Sequence, residues 1–135
     1  MKTLFLLFSI FLFGCDSKSN ETAVAPQPQT DILTGVWSLK NYSPGFGPQE
    51  TFNPNDIIWQ FNSNNTVTVT INTALQSNSG VPITTNSNVT YNLVNNTKVI
   101  IQTIEYNVTI QNNKLILDTD ASADGKRIEF DKIQI

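Results

Sequence analysis

From Leu33 to the C-terminus, apolar and polar residues alternate with a period of two, interrupted at short intervals by asparagine. The clearest run is Thr66-Val67-Thr68-Val69-Thr70-Ile71, which puts Val67, Val69 and Ile71 on one face and three threonines on the other. Val89, Tyr91 and Leu93 repeat the pattern, as do Tyr106, Val108 and Ile110, then Leu115 and Leu117, then Ile128 and Phe130. β-Branched and aromatic residues on this period form strands with one dry and one wet face. No window beyond Leu33 sustains an amphipathic helix of three turns. The pattern predicts eight strands, over residues 35–42, 56–61, 66–72, 87–94, 97–103, 104–111, 114–119 and 126–134.

Asn62-Ser63-Asn64-Asn65, Asn95-Asn96 and Gln111-Asn112-Asn113 each separate two such runs. Asparagine tolerates the left-handed backbone and hydrogen-bonds locally, so these segments predict tight hairpins. Ile133 and Ile135 fall out of phase with Ile128 and Phe130, which predicts a bulge near Asp131 or Lys132. Two connections are too long for hairpins: residues 43–55, with three prolines, and residues 72–86. A meander places both at one end of the fold, where long loops on a short-turned scaffold concentrate binding.

The fold class that follows is all-β: an eight-stranded antiparallel up-and-down β-barrel, because closure removes the exposed edges of strands this rich in valine, isoleucine and threonine. A β-sandwich would call for longer crossovers than the second half provides. Inward positions are mostly large, which favours a filled barrel or a shallow pocket over a deep cup. Trp37, a large aromatic near the start of a short strand, is then a core residue. Trp59, Tyr91, Tyr106 and Phe130 are candidates for core or pocket wall. Phe46 and Phe52, on the first long loop, either line a pocket at the mouth or cork it.

The N-terminus has a different pattern. Lys2 precedes a run from Leu4 to Phe13 that is apolar except for Ser9, then Gly14 and the single cysteine, Cys15. A basic start, a short apolar stretch and a small residue at the break describe a secretory signal peptide, too short for a permanent membrane span. Residues 16–30 are polar, contain Pro26 and Pro28, and predict a disordered tether that reaches up to about 45 Å. The expected organisation is a signal peptide over 1–14, the cysteine and tether over 15–31, and the barrel domain over 32–135.

Composition narrows the function classes. Without Lys2 the chain holds seven basic and eleven acidic residues, a net charge of −4, and the basic ones are scattered. That leaves no footprint for nucleic acid or an anionic surface. Histidine is absent and cysteine occurs once, which excludes disulfides within the chain, imidazole- or thiolate-built zinc sites and histidine triads. No catalytic residue, metal or cofactor is assigned, and the chain is not expected to be an enzyme. An enzyme here would depend on a carboxylate pair, and no two acidic residues fall at matching inward positions of neighbouring strands. Asp118 to Gly125 alternates oxygen-bearing residues, but its glycine falls at the eighth place instead of the sixth required of a calcium loop. The Asn-x-Ser/Thr patterns, such as Asn88-Val89-Thr90, follow from the 17 asparagines and carry little weight.

Leu12-Phe13-Gly14-Cys15 resembles the bacterial lipoprotein processing site. The resemblance implies cleavage before Cys15, acylation of that residue, attachment to the membrane through the lipid, and the outer membrane as destination. Gly35-Val36-Trp37 resembles the Gly-x-Trp signature of lipocalins, which implies that Trp37 closes the bottom of the barrel. Leu33 to Trp37, Ile58 to Phe61 with Thr66 to Val69, Tyr106 to Ile110, Leu115 to Asp118, and Asp124-Gly125 with Phe130 to Ile133 are together similar to small lipocalin-like lipoproteins of Bacteroidota. That resemblance implies the barrel fold rather than an activity; the function expected of such a barrel is binding of a small apolar or lipid-like molecule in a shallow pocket or, with the barrel filled, contact with another envelope protein. The lipocalin resemblance also implies an arginine from the last strand over the tryptophan, for which Arg127 is the candidate.

Overall fold

A computed structural model describes residues 31–120 and 124–134. Nine strands run in chain order: β1 (Gly35–Ser43), β2 (Glu50–Thr51), β3 (Ile57–Asn62), β4 (Thr66–Ile71), β5 (Ser87–Asn95), β6 (Lys98–Ile101), β7 (Ile104–Gln111), β8 (Lys114–Asp118) and β9 (Arg127–Lys132). Every neighbour in the order β1-β3-β4-β5-β6-β7-β8-β9 pairs antiparallel, and β9 pairs back onto β1. The result is an all-β, eight-stranded closed antiparallel barrel, consistent with a lipocalin-like fold. The two-residue β2 is an addition beside the upper half of β1, where Tyr42 opposes Glu50 and Asn41 opposes Thr51.

The turns follow the asparagine signals. Asn112 and Asn113 both have positive φ, 50° and 60°, between Gln111 and Lys114, the backbone that suits a two-residue hairpin between right-twisted strands. Asn65 takes φ 60° at the end of the β3–β4 turn. Gln102 takes φ 56° and turns the chain between Ile101 and Ile104, so β6 is shorter than the pattern suggested.

Registers carry the alternation around the barrel. Trp37 opposes Trp59, Trp59 opposes Val69, and Val69 opposes Ser87, so one inward row crosses four strands. Trp37, Trp59, Tyr42, Tyr106, Phe61 and Phe130 are the largest fully buried side chains, and they fill the interior together with Leu39, Ile57, Leu115, Leu117 and Ile128. Burial of that apolar surface is what holds so short a set of strands closed.

The expected bulge exists but lies on the other partner. Between β1 and β9 the register shifts at Lys40, between the Leu39–Phe130 and Asn41–Glu129 pairs. The extra residue on β1 lets both Leu39 and Tyr42 face inward although they are three apart. Ile133 continues past β9 by donating its N–H to the Val36 carbonyl at 2.9 Å.

Candidate functional site at the barrel mouth

Because strands alternate in direction, the β1–β3 connection, the β4–β5 connection and the β8–β9 turn all emerge at one end. Gly45 fixes how the first of these meets the last. It has φ 90°, and a Cβ there would collide with the Asp124 backbone carbonyl, so only glycine permits this approach. The rest of the first loop is tied back onto β1. Phe52 N–H donates to the Lys40 carbonyl at 2.9 Å, and Asn55 N–H donates to Ser38 Oγ at 2.9 Å. Asp56 Oδ2 accepts the backbone and side-chain N–H groups of Asn53, a local turn that starts β3.

The second loop, residues 72–86, contains no strand, and side chains pin it at both ends. Asn72 donates its backbone N–H to the Asp56 carbonyl and its amide to the Asn55 carbonyl, both at 2.8 Å. Asn86 Oδ1 accepts the Ile71 N–H at 2.6 Å. Its middle is clasped by Glu50: Oε2 accepts the Ser79 hydroxyl at 2.7 Å and Oε1 accepts the Gly80 N–H at 2.8 Å. Gly80 packs so close to the Tyr42 ring that a Cβ would push against it. The next residues then turn inward. Val81 is 3% exposed and Ile83 5%, both part of the one continuous core.

Val81 and Ile83 are therefore the cork. The sequence offered Phe46 and Phe52 either for that role or as walls of a mouth pocket. Phe46 is instead 78% exposed, and Phe52 is only partly buried against the core. The signal that could have found the cork is Val81-Pro82-Ile83 itself, two β-branched residues flanking a proline in a loop otherwise polar from Gln76 to Thr85.

Clefts flank the Glu50 clasp. One of about 400 Å³ is lined by Pro48, Glu50, Phe52, Asp56, Leu75 and Gln76. Another of about 290 Å³ is lined by Pro44, Phe46, Pro48, Glu50, Asn78 and Gly80. A third, of about 260 Å³, lies outside β1 among Leu39, Phe52, Pro54, Lys132 and Ile133. Phe46 and Phe52 thus line mouth recesses.

Trp59, Tyr91, Tyr106 and Phe130 are inside the barrel. Trp59 packs on Phe130 with ring centroids 5.2 Å apart, and Phe61 meets Tyr91 edge-on at 5.2 Å. The Tyr91 hydroxyl bonds to the Asp31 carboxylate and lies 3.1 Å from the Asn62 carbonyl, which ties the segment before β1 to the base. Burial, then Asp31, pushes the Tyr91 phenol far above its ordinary 10. Burial, then the neighbouring Tyr42 phenol, pushes Tyr106 up to about 12. Burial, then Glu50, also raises Tyr42. These are phenols kept neutral in a dry interior.

Among the described residues two buried side-chain polar atoms have no hydrogen-bond partner, Trp59 Nε1 and Ser87 Oγ. The other tryptophan differs: Trp37 Nε1 donates to the Leu33 carbonyl at 2.8 Å.

Elsewhere the charged residues are structural. Asp118 accepts from Asn107 at 3.0 Å, and Glu129, twelfth counting from Asp118, accepts from Asn41 at 2.9 Å and pairs with Arg127 at 2.8 Å. The Asn41 bond, foremost, holds the Glu129 carboxyl below its usual range. Among the described residues no group of three acidic, histidine or cysteine side chains is placed to hold a metal. Cys15 lies outside the described residues, as do the expected signal segment and all of the expected tether except Asp31. No protein-family model matches the sequence, and no curated protein matches it.

Proposed function

We propose that this chain is a non-catalytic cell-envelope lipoprotein that binds a small apolar molecule at the mouth of its barrel. The observation that carries the binding role is the Glu50 clasp: it gathers both long loops at one end of a filled barrel and leaves clefts of about 400 and 290 Å³ beside them. Phe46, Phe52 and Leu75 supply apolar walls there, while the interior is occupied by its own side chains. Pockets of this kind pair apolar lining with a few polar groups. The envelope role rests on Lys2, the Leu4–Phe13 run and Gly14-Cys15, whose resemblance to a lipoprotein processing site implies acylation and an outer-membrane address. Lack of histidine throughout the chain supports the non-catalytic reading.

The test is titration of the full-length protein in nanodiscs with N-phenyl-1-naphthylamine, a neutral fluorescent apolar probe, with empty nanodiscs as background. Saturable micromolar binding is expected, weakened in Phe52→Ala and unchanged in Thr68→Ala on the wet face. Partition equal to the empty discs would refute it.

A second reading is favoured by Phe46, 78% exposed between Pro44 and Pro48. In that reading the filled barrel presents this loop to another envelope protein. A photocrosslinker at position 46 that captured one protein in place of the probe would select it.

A further inference from the structure

The interior of the barrel is apolar at nearly every inward position, and the two exceptions without partners share one row. Trp59 on β3 opposes Val69 on β4, which opposes Ser87 on β5, so all three point the same way, into the barrel. Trp59 is 1% exposed and its indole nitrogen is bare; the Ser87 hydroxyl oxygen is likewise shielded and bare. An unmatched donor in an apolar interior is unfavourable, and native interiors rarely keep one without a purpose. The chain does satisfy Trp37, its other indole, with a backbone carbonyl. Phenylalanine would fill much of the Trp59 site without the orphaned N–H.

We propose that Trp59 N–H and Ser87 Oγ anchor a small neutral molecule inside the barrel, through an uncharged oxygen acceptor on an apolar body that takes the place of Val81 and Ile83. The proposal rests on the mouth-binding reading and names the ligand class and its depth. Ser87 begins β5 directly after the corking loop, so the anchor row lies next to the segment that must move. That loop has no strand pairing; its middle is clasped through Glu50, which leaves it the cheapest part of the core to displace.

Neutrality follows from charge placement. From Ile57 through Thr97 the chain contains no aspartate, glutamate, lysine or arginine, and this stretch supplies β3, β4, the corking loop and β5. The buried inward residues of the other strands, including Leu39, Tyr42, Val99, Tyr106, Leu117, Ile128 and Phe130, are uncharged too, and Lys132, beside Trp37 in the same row, is exposed with its ammonium on the Trp37 ring. A carboxylate brought to Trp59 would find no buried counter-charge, and Glu50 at the rim would repel it. A ketone, ester or ether oxygen needs only the two groups present. The body is small, comparable in size to the two side chains it displaces.

The experiment is proton–nitrogen NMR of the full-length protein in nanodiscs with only the indole nitrogens labelled, which gives one N–H signal each for Trp37 and Trp59. Titration with 2-octanone should move the Trp59 signal downfield to saturation and leave Trp37 in place, whereas octane and octanoate should not. Ser87→Ala, a mild change at a strand end, should weaken 2-octanone about three- to tenfold, the worth of one neutral hydrogen bond. Trp59→Phe should remove the preference for ketone over alkane. If octane binds as well as 2-octanone and the Trp59 N–H does not move, the anchor is wrong while mouth binding stands. A Trp59 N–H already bonded to a trapped water that no probe displaces also overturns the anchor. If none of the probes binds, both readings fall.

Discussion

Lys132 Nζ stands 5.3 Å from the centre of the Trp37 ring, a cation over an aromatic face at the base of the barrel. The two residues oppose each other across the β1–β9 seam that closes the sheet. The family resemblance implied an arginine in this place and pointed to Arg127. Arg127 is at the opposite end of β9, across from Ser43, and pairs with Glu129. The base is Lys132 instead, because β9 runs from mouth to base and only its last residue reaches the tryptophan.

Trp37 also donates its N–H to Leu33 and is fully buried, so its parts separate by mutation. Lys132→Ala should cost about 0.5–1 kcal/mol, the range of an exposed cation–π contact. Trp37→Ala should cost about 3–5 kcal/mol. Lys132→Arg should restore most of the smaller loss. Denaturant midpoints with unchanged slopes would check all three.

The cork makes a contrasting prediction. Ile83 belongs to no strand, yet its burial equals that of strand residues, so Ile83→Ala should destabilise by about 2–5 kcal/mol as a core truncation does. Thr68→Ala, on the wet face of β4, should stay within about 0.5 kcal/mol. Equal effects in thermal or chemical melts would refute the cork.

The strands were legible because period-two patterning, asparagine turns and barrel closure all act locally. Thr66 to Ile71 and Tyr106 to Ile110 could be assigned a wet and a dry face from side-chain type alone. What escaped was set by contacts distant in sequence. The bulge at Lys40 depends on how β1 must fit β9, some ninety residues on, and Ile133 gave the phase shift without saying which strand absorbs it. Val81 and Ile83 sit in a loop whose path is decided by Glu50, a residue with no local mark of that role. At the mouth, Phe46 and Phe52 were read by hydrophobicity, but the proline-framed loop holds Phe46 outward. The aromatic set inside the barrel could be named, whereas the missing partner of Trp59 could be seen only once the registers were fixed.

Glu50 should behave as a local clasp rather than a global support. Glu50→Gln retains one acceptor and one amide, and Glu50→Ala retains neither. Amide exchange over residues 76–84 should accelerate in both, more in the alanine variant, while β7 and β8 stay protected. Faster exchange throughout the barrel would show that the loop is inseparable from the core.

The N-terminal proposal is tested by Cys15→Ser. Labelled fatty acid should be incorporated by the wild-type protein and not by the variant, which should accumulate as a longer precursor. Two or more acyl chains hold a protein firmly, so the wild type should remain with membranes after a salt wash. Label retained in the variant would exclude Cys15 as the acylated residue.

Tyr106 gives the barrel a pH signature on the alkaline side. In the unfolded chain a phenol loses its proton near pH 10, whereas burial holds Tyr106 in the folded state to about 12. Between those values the folded protein therefore binds more protons than the unfolded one, and stability falls as pH rises. Below pH 10 both forms are protonated and the contribution is complete. Each such phenol steepens the loss by at most about 1.4 kcal/mol per pH unit. Tyr91 and Tyr42, raised by burial in the same way, add to the same limb. Tyr106→Phe keeps the ring and removes the titrating hydroxyl, so its stability should match the wild type more closely, or exceed it, as pH climbs from 10 to 12. Urea melts across that range would check it. An alkaline limb unchanged in Tyr106→Phe would mean that this hydroxyl is hydrated in the folded barrel, and with it the upper part of the interior.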